Sequence, residues 1–146
     1  MGMRWLVIVA TLGLMACQDV EDTDLQTDLT AGRVQVLYTG VTQMNDTPLA
    51  TFTVVNDSTD TLWYWGYAPE SLLYGGECWS DTGWTSLFWG WCGTGTLPYD
   101  LPPQSQLAIT TLMPDTACTW RLILNFHMNL TMDPLLVRSA PIEYQL

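Results

Sequence analysis

The residues able to do chemistry in this chain of 146 residues are few and scattered. The single histidine, His127, lies where polar and apolar residues alternate. Without a cysteine or second histidine at ligand spacing, it reads as a surface residue rather than a base or a metal ligand. No G-x-S-x-G, H-E-x-x-H or Cys-x-x-Cys pattern occurs, and Gly93-Thr94-Gly95-Thr96 lacks the lysine of a phosphate loop. Glu77 and Asp81 form a carboxylate pair of the kind used on glycosides. Their spacing across a turn carries no information about the separation of about 5–9 Å that such chemistry needs. The acids at Asp19, Glu21, Asp22, Asp24 and Asp28 lack the glycine and closing glutamate of a calcium loop, and the run Asn56 to Asp60 reads as a polar turn in preference to a weak calcium site. The sequons at Asn45, Asn56 and Asn129 read as polar turns. These residues point to no enzyme, no metal and no cofactor.

The cysteines carry a different chemistry. Met1 to Arg4 is a short, positively charged start, and Trp5 to Gly13 is an apolar run too short to span a bilayer as a helix. It ends in Leu14-Met15-Ala16-Cys17, which resembles the lipobox of bacterial lipoproteins. The resemblance covers this segment only. It implies removal of residues 1–16, a diacylglyceryl thioether and further acylation on Cys17, and attachment to a membrane through that anchor. Several acyl chains on one residue hold firmly where a single chain is marginal. Gln18, rather than Asp, follows the cysteine, and by the enteric sorting rule this favours the outer over the inner membrane of the envelope. Cys78, Cys92 and Cys118 remain for an oxidising compartment, enough for one disulfide and one thiol. The pairing is open from sequence. Cys92–Cys118 is preferred because a hairpin around Asp81-Thr82-Gly83 would put Cys78 opposite Ser86 and carry Cys92 past the end of the strand.

Composition narrows the partners. Net charge is −11, lysine is absent, and Arg33, Arg121 and Arg138 are the cations left after Arg4. So acidic a chain repels phosphate backbones, which excludes nucleic acid as a natural partner. Hydrophobic residues make up 48% of the chain and charged ones 13%, so a sizeable core is available. Residues 17–32 read as a disordered acidic tether, and 33–146 as one domain of ordinary size.

Within that domain the hydrophobic period is two. Val34, Val36 and Tyr38 alternate with Arg33, Gln35 and Thr39; Ala50, Phe52 and Val54 alternate with Thr51 and Thr53. Cys118 to Leu130 is the cleanest run, with Leu122, Leu124, Phe126, Met128 and Leu130 on one face. Turns are expected at Asn56 to Asp60, Asp81 to Gly83 and Leu101 to Ser105, with closing strands at Leu135 to Arg138 and Ile142 to Tyr144. The spacing predicts an all-β, antiparallel, immunoglobulin-like sandwich of about 7–9 strands, with a small β-barrel as the alternative.

One block dominates. Residues 63–92 hold six of the eight tryptophans and ten of the seventeen aromatic residues. Trp63, Trp65 and Tyr67 fall on one side of a strand, Leu62 and Tyr64 on the other. A sandwich strand has one inner face, so some rings are left outside unless loops fold over them. Trp63, Trp65, Trp84, Trp89 and Trp91 form the candidate binding surface, suited to a protein or carbohydrate ligand. Trp63-Tyr64-Trp65-Gly66-Tyr67, Gly90-Trp91-Cys92-Gly93-Thr94-Gly95 and Leu101-Pro102-Pro103 also resemble small exported bacterial domains of unknown function. That resemblance implies a sandwich over residues 33–146 and no activity. The reading is of a membrane-anchored envelope lipoprotein serving as a non-enzymatic binding or structural module. The alternatives are a protease inhibitor presenting the loop 90–99, and a hydrolase using Glu77 and Asp81.

Overall fold

The computed structural model describes residues 33–87 and 94–144. Eleven strands follow one another among them: β1 (Val34–Met44), β2 (Thr47–Asn56), β3 (Leu62–Ala68), β4 (Ser71–Leu72), β5 (Tyr74–Ser80), β6 (Gly83–Leu87), β7 (Leu97–Leu101), β8 (Ser105–Leu112), β9 (Cys118–Phe126), β10 (Leu135–Arg138) and β11 (Ile142–Tyr144). The count exceeds the expected range because β4 has two residues, and because β10 and β11 pair with successive parts of one edge of β9.

All pairing is antiparallel. One sheet has the order β1-β2-β8, a second β10-β9-β5-β6 with β11 also on β9, and a third β4-β3-β7. A bridge between Trp63 and His127 joins the third sheet to the second. The result is an all-β, partly curled half-barrel, which fits the expected β-sandwich or small barrel. Its core lies between β1-β2-β8 and the other strands. Phe52 of β2 meets Trp120 of β9 edge to face at 5.9 Å, and Tyr64 of β3 meets Phe126 at 6.1 Å. Trp120, Leu122, Leu124 and Phe126 are fully buried, as β9's period of two demands.

The turns follow their residues. Asn45 and Asp46, both at positive φ (50° and 64°), make the two-residue β1–β2 turn, a conformation these residue types tolerate. Gly40 at φ 139° sits where the β1–β2 register shifts after Tyr38. Asn56 is fully buried. Its Nδ2 donates to the carbonyls of Asp60, Leu101 and Pro102, and its Oδ1 accepts from the Ser58 amide and hydroxyl. One amide thereby ties the end of β2 to the end of β7, across two sheets. Gln104, at φ 53°, donates to the carbonyls of Asp57 and Ser58 from the other side.

Two expectations are corrected. The strand predicted over 118–130 ends at Phe126, and Met128 and Leu130 are exposed. Asn129 Oδ1 accepts from the Thr131 amide and hydroxyl, which turns the chain away even though the hydrophobic alternation continues. Second, the disulfide is Cys78–Cys118, not Cys92–Cys118. Ser80 pairs with Gly83 around a two-residue turn at Asp81-Thr82, so Cys78 faces Thr85 rather than Ser86. On its other side Cys78 faces Trp120. That places Cys118 diagonally across the ladder on the same, inner, face, with Cα atoms 6.0 Å apart. Cys92 lies outside the described residues.

Candidate functional site

The alternation that buries Trp120, Leu122 and Leu124 sends Arg121, Ile123 and Asn125 of β9 to the outer face of the same sheet. The register completes the set. Glu77 lies between Arg121 on β9 and Ser86 on β6, and Trp79 lies opposite Trp84. Arg121 Nε donates to Glu77 Oε2 at 2.6 Å, and Arg138 Nε stands 3.6 Å from the same oxygen. The Arg121 guanidinium also lies over the Trp84 ring, 4.0 Å from its centroid. Trp84 in turn meets Trp79 edge to face at 5.3 Å. Trp79 is 54% exposed, the most open tryptophan among the described residues. One carboxylate, two guanidiniums and two indoles are thus braced against one another on the outer face.

A second aromatic group lies at the other end of the same face. In β3, Leu62 and Tyr64 are buried while Trp65 (38% exposed) and Tyr67 point outward, with Trp63 half-buried beside them. Trp63 exchanges both backbone hydrogen bonds with His127, at 2.8 and 2.7 Å. Trp79 is one residue beyond the Cys78–Trp120 pair, level with Thr119. Trp63 is level with His127, so the two groups are about 26 Å apart along β9 at about 3.3 Å per residue.

Tyr64 belongs to the inner side. Its hydroxyl donates to the Pro69 carbonyl at 2.6 Å. Burial pushes its pKa up to about 12, helped by the nearby charge of Asp100. Tyr74 is also raised by burial, partly offset by the Leu112 amide donating to its oxygen.

The sequence-derived candidates separate accordingly. Trp63, Trp65 and Trp84 are on the outer face; Trp89 and Trp91 lie outside the described residues. Trp79 was not among the candidates; it faces outward because Cys78 before it faces inward opposite Trp120, and the two-residue turn makes it the partner of Trp84. His127 has Nδ1 3.1 Å from the Met132 carbonyl oxygen, a local turn contact. Glu77 is engaged by two arginines, and Asp81 sits in the hairpin turn. Among the described residues no three His, Cys, Asp or Glu side chains are grouped to hold a metal ion. Of the loop 90–99, residues 90–93 lie outside the described residues, and Leu97–Tyr99 are strand β7, paired to β3. A groove of about 470 Å³ opens elsewhere, between β1 and the start of β11, lined mainly by Val36, Tyr38, Pro141 and Ile142. It gathers no cluster of polar groups that would orient a ligand.

Comparison of the sequence with protein-family models and with curated proteins returned no match.

Proposed function

We propose that this chain is a lipid-anchored envelope protein whose β-domain is a non-enzymatic binding module, with the outer aromatic face as its contact surface. The observation that carries the reading is the position of the rings. Trp65, Tyr67 and Trp79 stand open to solvent, and Trp63 and Trp84 lie half-buried among them. A domain with a full core beneath it gains little in stability from solvent-facing tryptophans, whereas contact surfaces are enriched in them. The anchor rests on Leu14 to Cys17, with Gln18 favouring the outer membrane, and the absence of catalysis on the engagement of Glu77 by arginine.

Two measurements test the reading. The full chain, held in detergent micelles to accommodate an anchor, is titrated with acrylamide while tryptophan fluorescence is followed. A readily quenched, red-shifted component that disappears in Trp65→Ala and Trp79→Ala supports a standing aromatic surface. A uniformly blue-shifted, protected spectrum would mean that the rings are covered and would remove the contact surface. For the anchor, cells are labelled with an alkynyl fatty acid: incorporation lost in Cys17→Ser supports it, and labelling unaffected by that change refutes it.

A further inference from the structure

We infer that the Trp79–Trp84–Arg121 cluster is a subsite for a carboxylate-bearing sugar ring, of uronic-acid type. The inference rests on reading the outer face as a binding surface and adds the ligand's chemistry.

Charge is the first argument. The chain carries −11, yet two of the three arginines among the described residues, Arg121 and Arg138, converge on this one face. Glu77 takes the Nε of Arg121. The described residues make no hydrogen bond to the two terminal nitrogens of that guanidinium, whose side chain is still 21% exposed. Trp84 beneath and Glu77 beside it fix the plane of the group before any ligand arrives. A planar donor fork held in one orientation matches a carboxylate and loses little freedom on binding it. Glu143, opposite Thr119 across β9, is exposed on this face, so with Glu77 it balances the two arginines and a ligand's carboxylate has to be held by the Arg121 fork itself.

Ring geometry is the second. Trp79, edge to face with Trp84 at 5.3 Å, offers an open indole beside the ring that carries the fork. The apolar face of a pyranose stacks on such a ring while its carboxylate turns to Arg121.

The third argument separates sugar from peptide. An extended peptide is gripped through its backbone at an unpaired sheet edge. Here β9 is paired on both edges, with β5 on one side and β10 and β11 on the other, and β5 is paired to β6 as well. The main-chain groups of β9 and β5 beneath Arg121, Glu77 and Trp79 are spent, so there only side chains remain to recognise a ligand, while the outer edge of β6, which carries Trp84, has no partner strand among the described residues. A sugar needs nothing more.

The test titrates the full chain in detergent micelles with a galacturonic acid trimer, following tryptophan fluorescence and calorimetry. A neutral galactose trimer and an aspartate tripeptide run alongside. The expected result is saturable binding of the acidic trimer alone. It weakens about tenfold in Arg121→Lys, which keeps the charge but loses the fork. It weakens comparably in Trp79→Ala, and falls with salt as screening grows. Trp79 is open to solvent, so Trp79→Ala remains informative even if Arg121→Lys unfolds. Equal binding of the neutral trimer overturns the carboxylate assignment and leaves the binding module standing. Binding of the peptide alone overturns the sugar assignment. Acidic-trimer binding indifferent to both substitutions overturns the site. Absence of acidic-trimer binding overturns the inference, whereas covered rings in the acrylamide experiment would remove the surface itself.

Discussion

Replacing Asn56 by alanine should cost this fold about 3 kcal/mol. The side chain is fully buried and makes five contacts within hydrogen-bond range, three from Nδ2 and two to Oδ1. Two amide hydrogens are shared among three carbonyls, and the Ser58 hydroxyl divides its one hydrogen between Asn56 Oδ1 and the Asp60 carbonyl. That leaves about four independent bonds at roughly 1 kcal/mol net each, less what water recovers in the space left behind. The loss falls on the connection between β2 and β7, so it should lower the unfolding midpoint in urea without changing the slope. Urea titration followed by tryptophan fluorescence measures both, with buried Trp120 as reporter. Asn56→Asp sharpens the test. It keeps the shape but sets an oxygen against the carbonyls of Asp60, Leu101 and Pro102. At neutral pH it should be worse than alanine, and it should recover as the pH falls and the acid is protonated. A loss below about 1 kcal/mol for alanine, or wild-type stability for aspartate at pH 7, would refute the account of this amide as the tie between sheets.

Three further expectations follow from the packing. Tyr64 has a pKa of about 12 in the folded chain against 10.0 as its reference. Between these values the folded state keeps a proton that the unfolded state releases, so stability present below about pH 10 should be lost as the pH rises. Urea midpoints measured on either side of pH 10 should show that decline reduced in Tyr64→Phe, with the remainder owed in part to Tyr74; an unchanged decline would contradict it. In Gly66→Ala the new Cβ would stand 2.6 Å from the Ser71 carbonyl oxygen and 3.0 Å from that of Ala68, both backbone atoms of the β3–β4 turn. Thermal melting should register a loss of about 2–3 kcal/mol, and wild-type behaviour would show that the turn is not tightly held. Reducing Cys78–Cys118, which are 40 residues apart, should cost about 4 kcal/mol in the chain-entropy description. Peptide mapping under non-reducing conditions should find these two cysteines linked; a Cys92–Cys118 peptide would reverse the assignment.

Much of this protein was legible in the order of its residues. Alternation alone placed Val34 and Val36, Ala50, Phe52 and Val54, and Leu122, Leu124 and Phe126 on inner faces, because a strand's side chains alternate with a period of two whatever it pairs with. Turn residues marked most of the breaks for the same local reason, and β10 and β11 lie where they were expected. The composition of the aromatic block said that some rings lie outside unless loops fold over them, since a sandwich strand has a single inner face. The sequence alone could not say which strands are neighbours or in what register. Asp81-Thr82 rather than a longer turn sets Cys78 against Thr85 and Trp79 against Trp84, and a shift of one residue would have moved every side chain of β6 to the other face relative to β5. Pairing of β5 with β9 brought together Glu77 and Arg121, 44 residues apart, and Cys78 with Cys118. Closing the β7 end onto the turn after β2 buried the amide of Asn56, which reads in sequence as one more polar turn residue. Local chemistry determines which way a side chain points along its own strand; only the fold, through contacts distant in sequence, decides what it points at.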